Sequence, residues 1–368
     1  GLASAYALTS NGALTPLGRE LGEDYNDPRW SPLLDRLGQS EMERFVLPGY
    51  SNSGALEGVS KPRTKDLDGS SQAASFNQLR YGTGFPSPTV LAQTWDTQLA
   101  RRYGRAVGME CAMLGIDGWY APACNLHRSP VGGRNYEYYS EDPLVSGEMA
   151  AQTILGSKET GTFCYLKHMV LNEQDSYRDS LYTWLTEQSL RELYLEPFRI
   201  AVEEGGATGM MSSYNRIGAI WTGGSRALLT EVLRGEWGFR GSVITDYSDH
   251  HSYMNADEML RAGGSLYMDG VFRDGSFRFG TDSPNFRACL RRATKDVIYA
   301  WLNATNLAYN DMALQAGTAT IDRPLKHRGV SPVLVGISVV DAVAALCVAV
   351  KAHRVLRRRA RKMGHAGE

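Results

Sequence analysis

Short apolar runs that break off in polar side chains, each followed by a helical pattern, set the strongest limit on this chain's fold. Residues 162–166 run into Lys167 and His168, 208–212 into Ser213, Tyr214 and Asn215, and 243–245 into Asp246. Further strands are expected at 116–122 and 264–268. Helical spacing of apolar residues predicts helices over 30–47, 89–114, 143–157, 186–204, 227–236 and 285–305. In the first of these, Leu33, Leu34, Leu37, Met42 and Phe45 recur at helical intervals. Strands alternating with helices point to parallel α/β architecture rather than a sandwich. The expected fold is α/β, a TIM-like (β/α)8 barrel, in which the loops after the strands converge on one face.

The stretch GFRGSVITDYSDHH at 238–251 sits at the centre of that reading. A β-branched run of this kind suits a parallel strand buried on both faces. Asp246 at its C-terminal end stands where barrel enzymes hold their chemistry. An aspartate there could equally cap the next helix or open a turn, and the stretch alone leaves both readings open.

Composition narrows the function. At 368 residues with 43% hydrophobic side chains, the chain can bury a sizeable core and is not globally disordered. A net charge of -1 argues against a nucleic-acid binder, which needs a basic face. The 7 Trp and 19 Tyr suit stacking on sugars and suit an ordinary core equally well. Cys111, Cys124, Cys164, Cys289 and Cys347 form no CxxC pair and no metal-type spacing, so they read as buried thiols.

Residues 1–29, rich in Gly, Ser, Asn and Pro, are expected as a linker or the end of a missing upstream domain. The first residue is Gly and no signal peptide is seen, so the chain reads as a fragment or a processed product. The barrel is expected over 30–315, with 60–72 as a loop carrying Asp66 and Asp68, and 316–330 as a second linker. Residues 331–350 form a mostly apolar run of 20 with one charge, Asp341, long enough to cross a bilayer. Seven cationic residues follow between Lys351 and Lys362. This is the pattern of a single transmembrane helix with a basic cytoplasmic tail at 351–368, which places the barrel outside the cell membrane. A buried C-terminal helix is the other reading of that run, and Asp341 favours it.

Four motifs in order resemble glycoside hydrolase family 3, the β-glucosidase group: NLHRSPVGGRNYEYYSEDP at 125–143, KHMVLNEQDSYR at 167–178, GMMSSYN at 209–215 and LRGEWGFRGSVITDY at 233–247. The resemblance implies a retaining glycoside hydrolase that cleaves terminal β-D-glucosyl or related residues through a covalent glycosyl-Asp246 intermediate. It implies Asp246 as nucleophile. Asp68, Arg128, Lys167 and His168 are expected to bind the sugar, with Tyr214 near the nucleophile and Tyr247 flanking the sugar. Cations near Asp246 would keep it ionised, and Arg128, Lys167 and His168 are the expected ones. Glu137 and Arg178 are expected to orient these groups or to form structural ion pairs. No metal or organic cofactor is implied.

The family's Asp-Gly-Pro reads Asp68, Gly69, Ser70 here, its Arg-Asp-Pro-Arg-Trp-Gly-Arg loop has become RSPVGGR at 128–134, and the frequent Trp after the nucleophile is Tyr247. These changes touch the sugar pocket and leave the identity of the sugar open. The expected general acid/base lies on an α/β sandwich domain, here one lost upstream. Glu173, Asp175 and Asp249 lie near the expected pocket without a claim to that role. The alternatives are a β-xylosidase or α-L-arabinofuranosidase of the same family, or a cell-surface carbohydrate-binding protein without turnover. The expected partners are a β-glycoside or oligosaccharide, the membrane and the sandwich domain.

Overall fold

Turn-forming glycines and side-chain caps cut the chain into short elements. The computed structural model describes residues 4–74, 82–248, 253–269, 279 and 282–303. A hairpin of β1 (Thr9–Ser10) and β2 (Ala13–Leu14) turns at Asn11 and Gly12, both with positive φ, as a two-residue hairpin turn requires. Helix α1 (Pro16–Glu23) follows, capped by the Thr15 side chain, and it packs against the closing helix α10 (Pro284–Asn303). Leu8 and Leu21 are fully buried. Residues 4–29 thus hold regular elements, unlike a linker, one of the two readings of 1–29. Their small polar residues build turns between apolar anchors.

The helix expected over 30–47 is two, α2 (Trp30–Leu34) and α3 (Gln39–Val46), broken where Gly38 is extended. All five apolar residues picked out by spacing are buried in one core cluster. The expected loop 60–72 contains a buried strand, β3 (Asp66–Leu67), hidden in the sequence by its charged neighbours. The helix expected over 89–114 also divides, into α4 (Pro88–Ala92) and α5 (Thr97–Met113), because Asp96 caps Leu99 N and restarts the helix.

The remaining elements interleave strands and helices. They are β4 (Gly118–Trp119), α6 (Pro143–Lys158), β5 (Phe163–Cys164), β6 (Leu166–Met169), β7 (Tyr182–Thr183), α7 (Glu187–Ser189), a π-helical stretch Leu190–Tyr194 and α8 (Glu196–Glu203). Next come β8 (Gly209–Ser212), β9 (Arg216–Ile217), β10 (Ile220–Trp221), a π-helical stretch Ala227–Glu236, β11 (Ser242–Ile244) and α9 (Ala256–Ala262), ahead of α10. Helices α5 and α6 meet at Gly104 and Gly156. A Cβ on either would come within 2.0 Å of a carbonyl oxygen of the other helix.

Two three-stranded parallel sheets result, β3-β4-β5 and β6-β8-β11, joined by a parallel bridge between Ala123 and Lys167. Beyond β11, Ile244 bridges Leu266 in parallel, and Met268 bridges Pro48 in antiparallel. A small sheet, β7-β9-β10, lies apart. The fold is α/β. One core cluster includes α1–α3, α9, α10, Ile244 and Leu266, and the other lies between α5, α6, α8 and the strands. Behind β11, buried Asp296 accepts from Tyr25 (2.5 Å), Arg292 (2.8 Å) and Ser265 (2.9 Å) and pairs with Arg234 at 3.0 Å, which ties α10 to the strands.

The apolar run 331–350 and the basic tail lie outside the described residues. Among the described residues no helix is long and apolar enough to cross a membrane.

Candidate active site

Four of the six strands in the parallel sheets carry site residues, within the strand or just beyond its C-terminal end. Asp68 follows β3, Lys167 and His168 lie in β6, Tyr214 is two residues past β8, and Asp246 is two past β11. All five line one cavity of about 910 Å³, and so do Tyr247, Arg134, Glu137 and Arg178. The sequence therefore placed every expected site residue but one in a common pocket.

Asp246 is 8% exposed. Its Oδ1 accepts from Tyr247 N at 2.7 Å, while Oδ2 is buried with no hydrogen-bond partner among the described residues. Among the described residues the nearest charged-type group to Oδ2 is His168 Nε2 at 3.8 Å, beyond hydrogen-bond reach. Burial pushes the Asp246 pKa above the usual aspartate range, while the charges of Arg134, Arg178 and Lys167 and the Tyr247 amide pull it back without reversing the shift. Of the three cations expected to help, only Lys167 is among those that pull it down, and desolvation outweighs them all.

Lys167, 2% exposed, extends into an acidic setting. Its Nζ donates to Asp68 Oδ1 at 2.8 Å and lies 3.6 Å from Glu137 Oε2. Glu137 also pairs with Arg134. Burial alone would raise the Asp68 pKa, but Lys167, the Gly69 amide and Arg134 together outweigh it and hold that carboxyl below its ordinary value. These groups alternate in sign across one wall, an arrangement suited to charge-assisted hydrogen bonds with neighbouring hydroxyls.

His168 does not supply the positive charge expected of it. It is 1% exposed, and burial, then Arg134, Lys167 and Arg178, push its pKa well below the usual histidine value. Its imidazole is neutral. Arg178 completes the rim: its guanidinium lies 4.3 Å from the Tyr214 ring centroid and 3.1 Å from Asp175 Oδ1.

Arg128 is the expected residue that the structure removes from the site. It is exposed, its guanidinium lies 5.5 Å from the Tyr194 ring, and it does not line the cavity. A turn closed by Gly132 N to Ser129 O (3.0 Å), with Gly133 at φ 96, separates it from Arg134, which takes the inward place. The Gly132-Gly133 pair was the available signal, since two glycines before an arginine mark a chain reversal.

Composition gave no warning of Tyr50, whose ring meets Tyr247 edge-on at 5.5 Å, or of Tyr136, both of which line the cavity. Of the three carboxylates considered near the pocket, Asp175 lines it, paired with Arg178. Glu173 does not line it, and burial pushes its pKa to about 7. Asp249 lies outside the described residues. Among the described residues no cluster of side chains could hold a metal ion.

The chain is 37% identical over 217 residues to β-glucosidase B of Emericella nidulans, covering 59% of this chain and 25% of that protein. It is 39% identical over 223 residues to a β-glucosidase of Rhizobium radiobacter, covering 60% of this chain and 27% of that one. It thus spans about a quarter of the curated relatives it matches. The structure of β-glucosidase 3B from Thermotoga neapolitana in complex with α-D-glucose superposes with a TM-score of 0.67 at 30% identity, over 76% of this chain and 43% of that one. A β-glucosidase from Paenibacillus barengoltzii gives 0.68 at 29%, over 82% and 36%. Residues 72–268 match the glycosyl hydrolase family 3 N terminal domain, more than half of the chain, and the chain belongs to that family.

Proposed function

We propose that this chain carries the nucleophile half of a retaining glycosidase site for terminal β-D-glucosyl or closely related residues. One observation carries the reading: a buried carboxylate oxygen of Asp246, without a hydrogen-bond partner among the described residues, in a cavity walled by Asp68, Lys167, His168 and Arg134. The two relatives and two structures compared above are all named β-glucosidases.

In this reading ionised Asp246 attacks the anomeric carbon, the bond to the leaving oxygen breaks, and an acid gives that oxygen a proton. Water then releases the sugar and regenerates the carboxylate. Such an acid stands about 5–5.5 Å from the nucleophile and must hold a proton. Asp175 and Glu137 are both already engaged by arginine or lysine partners in the cavity wall. We therefore assign the acid to a domain outside the described residues. Asp68, Lys167 and Arg134 hold the sugar hydroxyls, and Tyr214 and Tyr247 flank the ring.

We read the two parallel sheets as arcs of one TIM-like (β/α)8 barrel. Support comes from the Ala123–Lys167 bridge on one side. On the other, Tyr267 N to Val46 O (2.8 Å), Gly49 N to Tyr267 O (2.8 Å) and Asp66 N to Ser51 O (2.9 Å) carry backbone pairing from the β11 side back to β3. Residues 331–350 with their basic flank we read as a single membrane anchor, the barrel outside the cell. Release of the chain from membranes by alkaline carbonate would contradict the anchor.

2,4-Dinitrophenyl β-glucoside tests the hydrolytic reading, because its leaving group departs without acid help. Turnover by the chain that disappears in Asp246→Asn supports it. Folded chain that turns over neither this substrate nor the matching xyloside and arabinofuranoside contradicts it.

A further inference from the structure

His168 faces the nucleophile with a ring that its own hydrogen bonds do not hold. Its Nδ1 is buried without a hydrogen-bond partner among the described residues, and its Nε2 is 3.8 Å from Asp246. Its backbone is also outside the regular ladder. Strand β6 pairs with β8 at Leu166–Met210 and Met169–Ser212, and the register shifts between those points. The backbone polar groups of a buried residue need partners all the same. A single side chain provides them. Asn125 Oδ1 accepts from His168 N at 2.8 Å, and Asn125 Nδ2 donates to His168 O at 3.0 Å. The carboxamide therefore stands in for one residue of a neighbouring strand.

Asn125 is itself fixed. It is buried beside the Ala123–Lys167 bridge, where Lys167 N donates to Pro122 O (2.9 Å) and Cys124 N donates to Lys167 O (3.0 Å). The next residue is held as well, Leu126 N donating to the Glu173 carboxylate at 3.4 Å. Only one orientation of the amide satisfies both His168 groups, since oxygen must meet N–H and nitrogen must meet C=O.

We infer that Asn125 is a positioning residue: its two-point clamp on the His168 backbone sets where the imidazole stands against Asp246 and the sugar. The link to catalysis rests on the hydrolytic reading above; the link to the ring does not. Aspartate at this position would keep the acceptor for His168 N–H but set a carboxylate oxygen against His168 C=O. Alanine would leave both backbone groups buried and unsatisfied.

The test uses the full chain in two measurements. The first is the imidazole ¹⁵N spectrum of the sugar-free protein, with the His168 signal assigned by its loss in His168→Gln. The second is the rate at which 2,4-dinitrophenyl 2-deoxy-2-fluoro-β-glucoside attaches. Ser157→Ala is the control, since it also removes one buried hydrogen bond, from Ser157 Oγ to Thr162 O (3.0 Å), away from the cavity. Asn125→Ala, and the milder Asn125→Asp if alanine fails to fold, should move or split the His168 signal and slow attachment about 10²-fold, as a misplaced reacting group does. Ser157→Ala should do neither. An unmoved His168 signal in a folded Asn125 variant overturns the inference, whatever the rate. A wild-type chain that never takes up sugar, with the His168 signal still moved by Asn125→Asp, sinks the hydrolytic reading and leaves the clamp standing.

Discussion

His168 Nε2 stands 3.8 Å from Asp246 Oδ2, and no hydrogen bond joins the two. A neutral imidazole beside a desolvated carboxylate neither neutralises it nor hides it. The carboxylate stays available to an electrophile, and its ionisation is governed by burial and by three more distant cations, Arg134, Arg178 and Lys167.

Arg128 and Arg134 should behave differently although six positions apart. Arg134→Ala removes a largely buried cation paired with Glu137 in the cavity wall, and Arg128→Ala removes an exposed one outside it. Sugar attachment should fall by about 10²-fold or more in Arg134→Ala and by less than about threefold in Arg128→Ala, as for a surface change. Equal losses would show that Arg128 reaches the sugar.

The contrast between these arginines shows what the sequence could and could not tell. The apolar runs before Lys167, Tyr214 and Asp246 marked three strands, because burial on both faces leaves a continuous apolar signature. Thr245 and Ile244 are indeed fully buried. Strand β3 escaped notice because Asp66 is a charged residue pointing into the core, the reverse of the usual pattern. Arg128 was chosen by its place in a motif, and only the fold of the RSPVGGR loop decides which arginine turns inward. Residues 4–29 looked like linker because turn residues outnumber the leucines that anchor them.

Attachment of sugar should follow the ionised fraction of Asp246. Its folded pKa is raised, so the rate should decline with falling pH starting above the range of an ordinary aspartate. Arg178→Gln deletes a charge that pulls this pKa down, so the midpoint should move to higher pH. The pH dependence of the attachment rate measures it, and a shift to lower pH would contradict the electrostatic account.

Lys167 joins Asp68 and Glu137 in a largely buried set. Lys167→Met leaves Glu137 with Arg134 alone and Asp68 with only the more distant charge of Arg134. Removing one partner of a buried pair costs about 3–5 kcal/mol. The Asp68 side chain is 45% exposed, so water replaces part of what it loses. The expected cost is about 2–4 kcal/mol in urea unfolding. A change within about 0.5 kcal/mol would show that the pairing contributes little.

Asp66 links stability to pH. Burial, then the charge of Asp117, pushes its folded pKa to about 7, with Lys61 opposing. A carboxyl with a raised folded pKa holds more protons folded than unfolded. Its contribution is full below the unfolded value near 4 and is lost as pH rises through about 7. Lys61, lowered to about 7 by burial, acts with the opposite slope above that pH. Asp66→Asn should therefore flatten the decline between about pH 4 and 7, by about 1–3 kcal/mol, in unfolding curves at each pH. A steeper decline would contradict the assignment.

The central claim is that Asp246 is the nucleophile, and mass spectrometry tests it most directly. The chain is incubated with 2,4-dinitrophenyl 2-deoxy-2-fluoro-β-glucoside, and intact mass is followed by peptide mapping. The account predicts one fluoroglucosyl group, on the peptide holding Asp246. It predicts none in Asp246→Asn, which should fold at least as well because it removes a buried carboxyl whose charge is disfavoured. An adduct on another residue, or one that survives in Asp246→Asn, would contradict it.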